Sequence, residues 1–168
     1  MPSTVLGLPV HPLVVHAVVI LVPLAALLLL SSALSPRLRR WARVLTPVTA
    51  VVALLFIPLA TSSGENLQES VARSHLVEEH AELGDTLLPL MAVVAVLAIV
   101  LFLLERRAAS GRSMPGKALV TAVVVLSVAA SLGTMVQVVR IGHSGAEAVW
   151  KGQGGASESS AQVSGGNH

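Results

Sequence analysis

None of the 168 residues is a cysteine, and that absence removes disulfides, zinc–thiolate sites, iron–sulfur clusters and covalent haem attachment together. Aromatic residues are almost missing as well. Trp41, Trp150, Phe56 and Phe102 amount to 2% of the chain, with no tyrosine, so aromatic cages and base-stacking platforms are not available. Charge is scarce, with 12% charged residues against 54% hydrophobic. A mean hydropathy of +0.79 lies far outside the soluble globular range. What is left is a membrane protein whose side-chain metal ligands are limited to histidine and carboxylate. The sequence pI of about 9.9 does not point to nucleic acid, because the basic residues sit in short segments beside apolar runs, where they report topology.

A membrane-spanning helix needs about 20 largely apolar residues, and four stretches supply them, at about 13–34, 44–61, 87–104 and 118–139. The fold class expected is an all-α integral membrane protein, a four-helix transmembrane bundle. Residues 1–150 are expected to form one four-span domain and 151–168 a low-complexity, disordered tail without a core. The first span has no Lys or Arg ahead of it and a basic cluster after it, which marks an anchor and not a secretory signal. The first link carries Arg37, Arg39, Arg40 and Arg43; the third carries Arg106, Arg107, Arg112 and Lys117. These two links are expected on the cytoplasmic side, which places the N-terminus and C-terminus outside. The strong excess of arginine over lysine, with Ala, Val and Leu dominant, suggests a bacterial plasma membrane.

Pro23, Pro47, Pro58 and Pro89 fall inside the apolar runs and are expected to kink helices. In the fourth span Ser127, Ala130, Ser131, Thr134 and Gln137 share one helical face, a small, hydroxyl-bearing seam for close helix packing. The segment 62–85 is expected to form an amphipathic helix on the outer surface. The stretch IGHSGAEAVWKG, from Ile141 to Gly152, reads as a glycine turn followed by a short helix, with Trp150 at the interface.

Histidine is where chemistry would sit. His11 and His16 open span one, His75 and His80 precede span three, and His143 follows span four, so all five belong to the outer side. An imidazole ligates metals when neutral and titrates near physiological pH, which makes this rim a candidate site. The spacings from His11 to His16 and from His75 to His80 are both five residues, about 140° of helical rotation, so a shared ion would have to lie between helices. The candidate haem-binding residues are His16, His80, His143 and His11. The candidate metal ligands are His11, His16, His75, His80 and His143, with Asp85 as an orienting carboxylate. Each has a plainer reading. His16 can satisfy itself on a backbone carbonyl near a kinked helix, His75 and the glutamates Glu78, Glu79 and Glu82 can form a solvated face, and His143 can be incidental to a glycine turn. The terminal His168 is expected to be idle.

Three stretches resemble a family of bacterial four-span membrane proteins catalogued as a domain of unknown function, number twenty-two thirty-one. They are GLPVHPLVVH at Gly7 to His16, TSSGENLQ at Thr61 to Gln68 with EEHAELGD at Glu78 to Asp85, and GHSGAEAVW at Gly142 to Trp150. The resemblance implies the four-helix membrane fold and a shared set of rim residues, His11, Pro12, His16, His80 and Gly142. It does not imply an activity.

Two function classes follow. One is a binding module for haem b or a transition-metal ion, in a redox or metal-handling role. The other is a non-catalytic accessory or assembly subunit of a larger membrane complex, for instance a respiratory one. A third, an outer surface that tightens when its histidines protonate beside Glu78, Glu79 and Glu82, has less behind it. An enzyme is not expected: no nucleophile stands at a readable spacing from a base, and there is no phosphate loop and no HExxH. A transporter lacks the buried charge with which to select a substrate. The partners expected are the lipid bilayer and a membrane protein or a second copy of the chain, with no nucleic acid.

Overall fold

A run of apolar residues inside a bilayer has no water for its backbone N–H and C=O groups, so it must pair them within itself as a helix. The computed structural model describes the backbone of residues 4–5, 8–68 and 75–164, and the side chains of residues 12–65, 75–147, 149 and 150. A small antiparallel ladder of β1 (Thr4–Val5) and β2 (Leu8–Pro9) pairs Thr4 with Pro9 and Val5 with Leu8. Six helices follow: α1 (Val10–Leu34), α2 (Pro36–Trp41), α3 (Leu45–Gln68), α4 (His75–Asp85), α5 (Leu87–Ala109) and α6 (Lys117–Ser164). Four of these, α1, α3, α5 with α4 leading into it, and α6, are long and apolar enough to cross a membrane, and the fold is an all-α four-span bundle.

The four spans pack as a square. α1 packs on α3 and α6, and α5 packs on the same two, which leaves α1 and α5 on a diagonal. Alanine makes this close approach feasible: Ala25, Ala26, Ala50, Ala53, Ala95 and Ala98 are all buried, with Leu29, Ile57, Met91 and Leu101 filling the space between them. The seam expected on the fourth span is present, since Ser127, Ser131 and Thr134 are fully buried on α6. Ser127 and Thr134 donate back to Val123 O (2.7 Å) and Ala130 O (2.8 Å).

The links at one end are tightly tied. Ser35 caps α2 by accepting from the Leu38 N–H, with Pro36 in the first turn where its missing donor costs nothing. Arg39 turns back to cap α1, donating from Nε to Ser32 O (2.7 Å) and from Nη2 to Ala33 O (3.1 Å). At the end of α5, the Gly111 N–H donates to Ala108 O and the Arg112 N–H to Arg107 O, and Gly111 takes φ 66°. This is the Schellman closure, which needs a left-handed residue where glycine stands.

Four expectations are corrected. Pro47 and Pro89 do not kink helix interiors: each is the third residue of its helix, where the N–H is free in any case. Pro23 and Pro58 are the interior ones. Helix α3 runs past the expected end of the second span at 61, to Gln68, and takes up the first part of the segment 62–85, of which α4 is the described surface helix. The segment Ile141 to Gly152 forms no turn; it is a continuous part of α6, because glycine lowers helix stability without breaking a helix that packing supports. The tail from 151 onward carries no described side chain, and residues 165–168, His168 among them, lie outside the described residues.

Candidate functional site at the histidine end

Antiparallel succession of the spans brings the start of α1, the end of α3, all of α4, the start of α5 and the middle of α6 to one end. α4 is amphipathic. Its exposed residues include His75, Glu78, Glu79, Glu82 and Asp85, while Leu76, His80, Leu83 and Gly84 are half-buried at helical intervals and belong to the side packed on α6. His80 is therefore carried inward by the same periodicity that places the leucines.

The His80 ring is held on two sides. Its Nδ1 lies 3.1 Å from Ser144 Oγ, and the Ser144 hydroxyl itself donates to Ile141 O at 3.0 Å. With that proton committed, Ser144 can only accept, so the pairing assigns the ring proton to Nδ1 and leaves Nε2 as a lone-pair acceptor. The ring also lies against Gly145, where an added Cβ would stand 3.0 Å from His80 Cε1 and 3.2 Å from Nδ1. Glycine at that position is what lets the imidazole approach the helix. Two helical turns earlier on α6, Gln137 donates from Nε2 to Thr86 Oγ1 (2.6 Å) and Leu83 O (3.2 Å), and Thr86 donates to the same carbonyl at 2.6 Å. The corner between α4 and α5 is thus pinned to α6 by an amide and a hydroxyl.

His16 has the same donor state in a different place. Its Nδ1 is 2.6 Å from Pro12 O, and a carbonyl only accepts, so Nδ1 carries the proton and Nε2 is again the free lone pair. The plainer reading of His16, a bond to a backbone carbonyl of its own helix, is what the structure contains. The residue is exposed on the outward side of α1, in line with the exposed Leu13, Ile20, Leu24 and Leu27.

The other candidates disperse. His143 is 77% exposed and faces Glu147 across one helical turn at 3.9 Å, too far for a hydrogen bond. His75 is exposed at the first turn of α4. Asp85 is exposed as well, and the group that orients His80 is Ser144. His11 lies in α1, but its side chain falls outside the described residues. Among the described residues, no three of His, Cys, Asp and Glu converge as a metal site would require. A shared end of the bundle is not yet a shared site.

Sequence reasoning misses Ser144 and Gly145 as the surroundings of His80, and Gln137 with Thr86 as the pin of the α4–α5 corner. Gln137 carries a visible signal, as the one amide on the seam of the fourth span. Gly145 carries none in sequence, because the need for a missing side chain appears only once the His80 ring is seen against it.

Comparison with known proteins matches residues 7–158 to a family model described as predicted membrane protein, DUF2231. No curated protein and no solved structure matches the chain.

Proposed function

Since the chain belongs to the DUF2231 family of predicted membrane proteins, and two of its imidazoles share one donor state, we propose that it is a small bacterial plasma-membrane binding protein that holds haem b, or a transition-metal ion, through His16 and His80. The observation that carries the reading is the pairing of each Nδ1 with a protein oxygen, at 2.6 Å in His16 and 3.1 Å in His80. That is how a metal-binding histidine is prepared: the far nitrogen is tied to a carbonyl or hydroxyl, which fixes the ring and leaves Nε2 to donate its lone pair. α1 and α4, which carry the two residues, both pack on α6 at this end of the bundle, with His16 on the outward side of α1 and His80 on the inward side of α4.

Haem would suit these residues better than a bare ion, because His16 and His80 would offer it two imidazoles and no third converging ligand would be called for. Haem supplies a one-electron redox couple. The chain's own part is to orient the imidazoles, through Ser144 and Gly145 at His80 and through Pro12 at His16, and to set the polarity around them. His143 and His11 stand as further ligand candidates at the same end. The reading is of a binding protein, not an enzyme. The histidine end is taken to face outward, because both arginine-bearing links lie at the opposite end.

The test is the haem and metal content of the purified full-length protein after expression with haem precursor and with added first-row metals. Stoichiometric haem supports the reading, and neither haem nor metal at any appreciable occupancy contradicts it. A second reading, an accessory subunit of a larger membrane complex, is favoured by one observation. His16 puts a polar ring on a face of α1 otherwise made of exposed Leu13, Ile20, Leu24 and Leu27, and a protein neighbour receives such a ring better than lipid does. A photo-crosslinking residue at position 16, activated in native membranes, would then give an adduct heavier by a protein's mass; adducts with lipid alone would contradict this second reading.

A further inference from the structure

The other end of the bundle carries a feature that the histidine reading does not use. An open groove of about 460 Å³ runs along the last turns of α5, with Val100, Leu103 and Leu104 as its apolar wall and Arg106, Arg107 and Arg112 at its mouth. Val100, Leu103, Leu104 and Arg107 follow one another at helical intervals on one face, so an apolar strip leads directly to a guanidinium. Leu103 is 52% exposed, as a residue facing acyl chains would be.

Topology alone asks only that the link be basic. It does not ask that the arginines converge over a groove, or that the turn holding them be locked. Here the Schellman closure at Gly111 folds the Arg112 N–H onto Arg107 O (3.2 Å), and both arginines line the groove. Arg107 is fixed further by donation from Nε to Ser113 O at 2.7 Å. The guanidinium groups of Arg106 and Arg112 have no protein acceptor among the described residues. In the other basic link Arg39 uses its donors on Ser32 O and Ala33 O, and none of that link's arginines lines this groove. Three cations with donors to spare, at the end of an apolar strip on a membrane-spanning helix, complement one kind of ligand.

We propose that this groove is a binding site for the phosphodiester headgroup of an anionic phospholipid, with its glycerol and upper acyl chain against Val100, Leu103 and Leu104 and its phosphate between Arg106 and Arg112. Guanidinium forks match phosphate oxygens in pairs, and basic pockets beside membrane helices select anionic over zwitterionic headgroups. The apolar wall is what commits the site to lipid and not to free phosphate.

The test is native mass spectrometry of the full-length protein in mild detergent with equimolar phosphatidylglycerol and phosphatidylcholine of identical chains, and with inorganic phosphate as competitor. Wild type is expected to retain phosphatidylglycerol in clear preference, by up to about thirtyfold if the two arginines act independently. R106Q/R112Q is expected to fall to parity, while R37Q/R40Q, which removes the same charge from the other basic link, keeps the preference. Parity in wild type overturns the proposal. An equal loss in R37Q/R40Q overturns it too, since a diffuse basic surface would then suffice, as does displacement of the lipid by millimolar inorganic phosphate. Should R106Q/R112Q fail to assemble, Leu103→Trp fills the groove with every charge in place; it is expected to lower phosphatidylglycerol retention, and unchanged retention would overturn the site.

Discussion

At the residue scale, a missing side chain and an unused hydroxyl make opposite predictions. Gly145 is the contact surface of the His80 ring, and a methyl group there would stand 3.0 Å from Cε1. Gly145→Ala should therefore push the ring off Ser144 and destabilise the protein by about 1–2 kcal/mol through overpacking. In a His80→Ala background, with no ring to meet, most of that cost should vanish. Thermal unfolding of the four members of this cycle checks the coupling, and additive losses would contradict the contact. Ser131 is the reverse case. It is fully buried on α6, yet its Oγ is without a hydrogen-bond partner, unlike Ser127 and Thr134 on the same face. A buried hydroxyl with no partner carries its desolvation penalty unrelieved. Ser131→Ala should leave stability unchanged or raise it by up to about 1 kcal/mol, measured in the same detergent; a loss of that size would mean that the hydroxyl has work to do in the membrane.

At the element scale, α4 is the piece that relates the histidine end to the bundle, and it is held to α6 by few contacts of a polar kind. Gln137 is the chief of these, with its donors on Leu83 O and Thr86 Oγ1. Gln137→Ala should loosen the corner between α4 and α5 by about 1 kcal/mol, as interhelical hydrogen bonds in membranes go, and amide exchange near 83–86 should quicken roughly fivefold while the centre of α5 stays protected. The sequence showed most of this scale and missed part of it. Span positions were legible because length and hydropathy are local properties of the chain, and the starts of α3 and α5 fall within one residue of those expected. The ends were not. α3 passes through Gly64 to Gln68, and α6 passes through Gly142 and Gly145, because glycine's weak helix propensity is a small term beside the packing that holds the helix. The inward place of His80 is implicit in its register with Leu76 and Leu83, but only the packing of α4 on α6 selects that face. That His16 lies on the outward side of α1 was not legible, since an all-apolar helix offers no polar face to orient it.

At the scale of the whole molecule, the two ends of the bundle differ in chemistry, with the imidazoles at one and the arginine-bearing links at the other. In the proposed reading the arginine end lies in the cytoplasm, on the charge bias of its two links, and the lack of cysteine makes that sidedness easy to test. Single cysteines introduced at Glu79 and Ser113, both exposed, should behave oppositely in intact cells. An impermeant maleimide should label Glu79→Cys and spare Ser113→Cys until the membrane is opened, and the reverse pattern would invert the bundle. The histidine end itself is tested most directly by the visible absorption spectrum of the purified full-length protein, oxidised and then reduced with dithionite. A Soret band that shifts on reduction, is lost in His16→Ala and in His80→Ala, and persists in His75→Ala is the predicted result. A featureless visible region after expression with haem precursor, or a band indifferent to both His16 and His80, would contradict it.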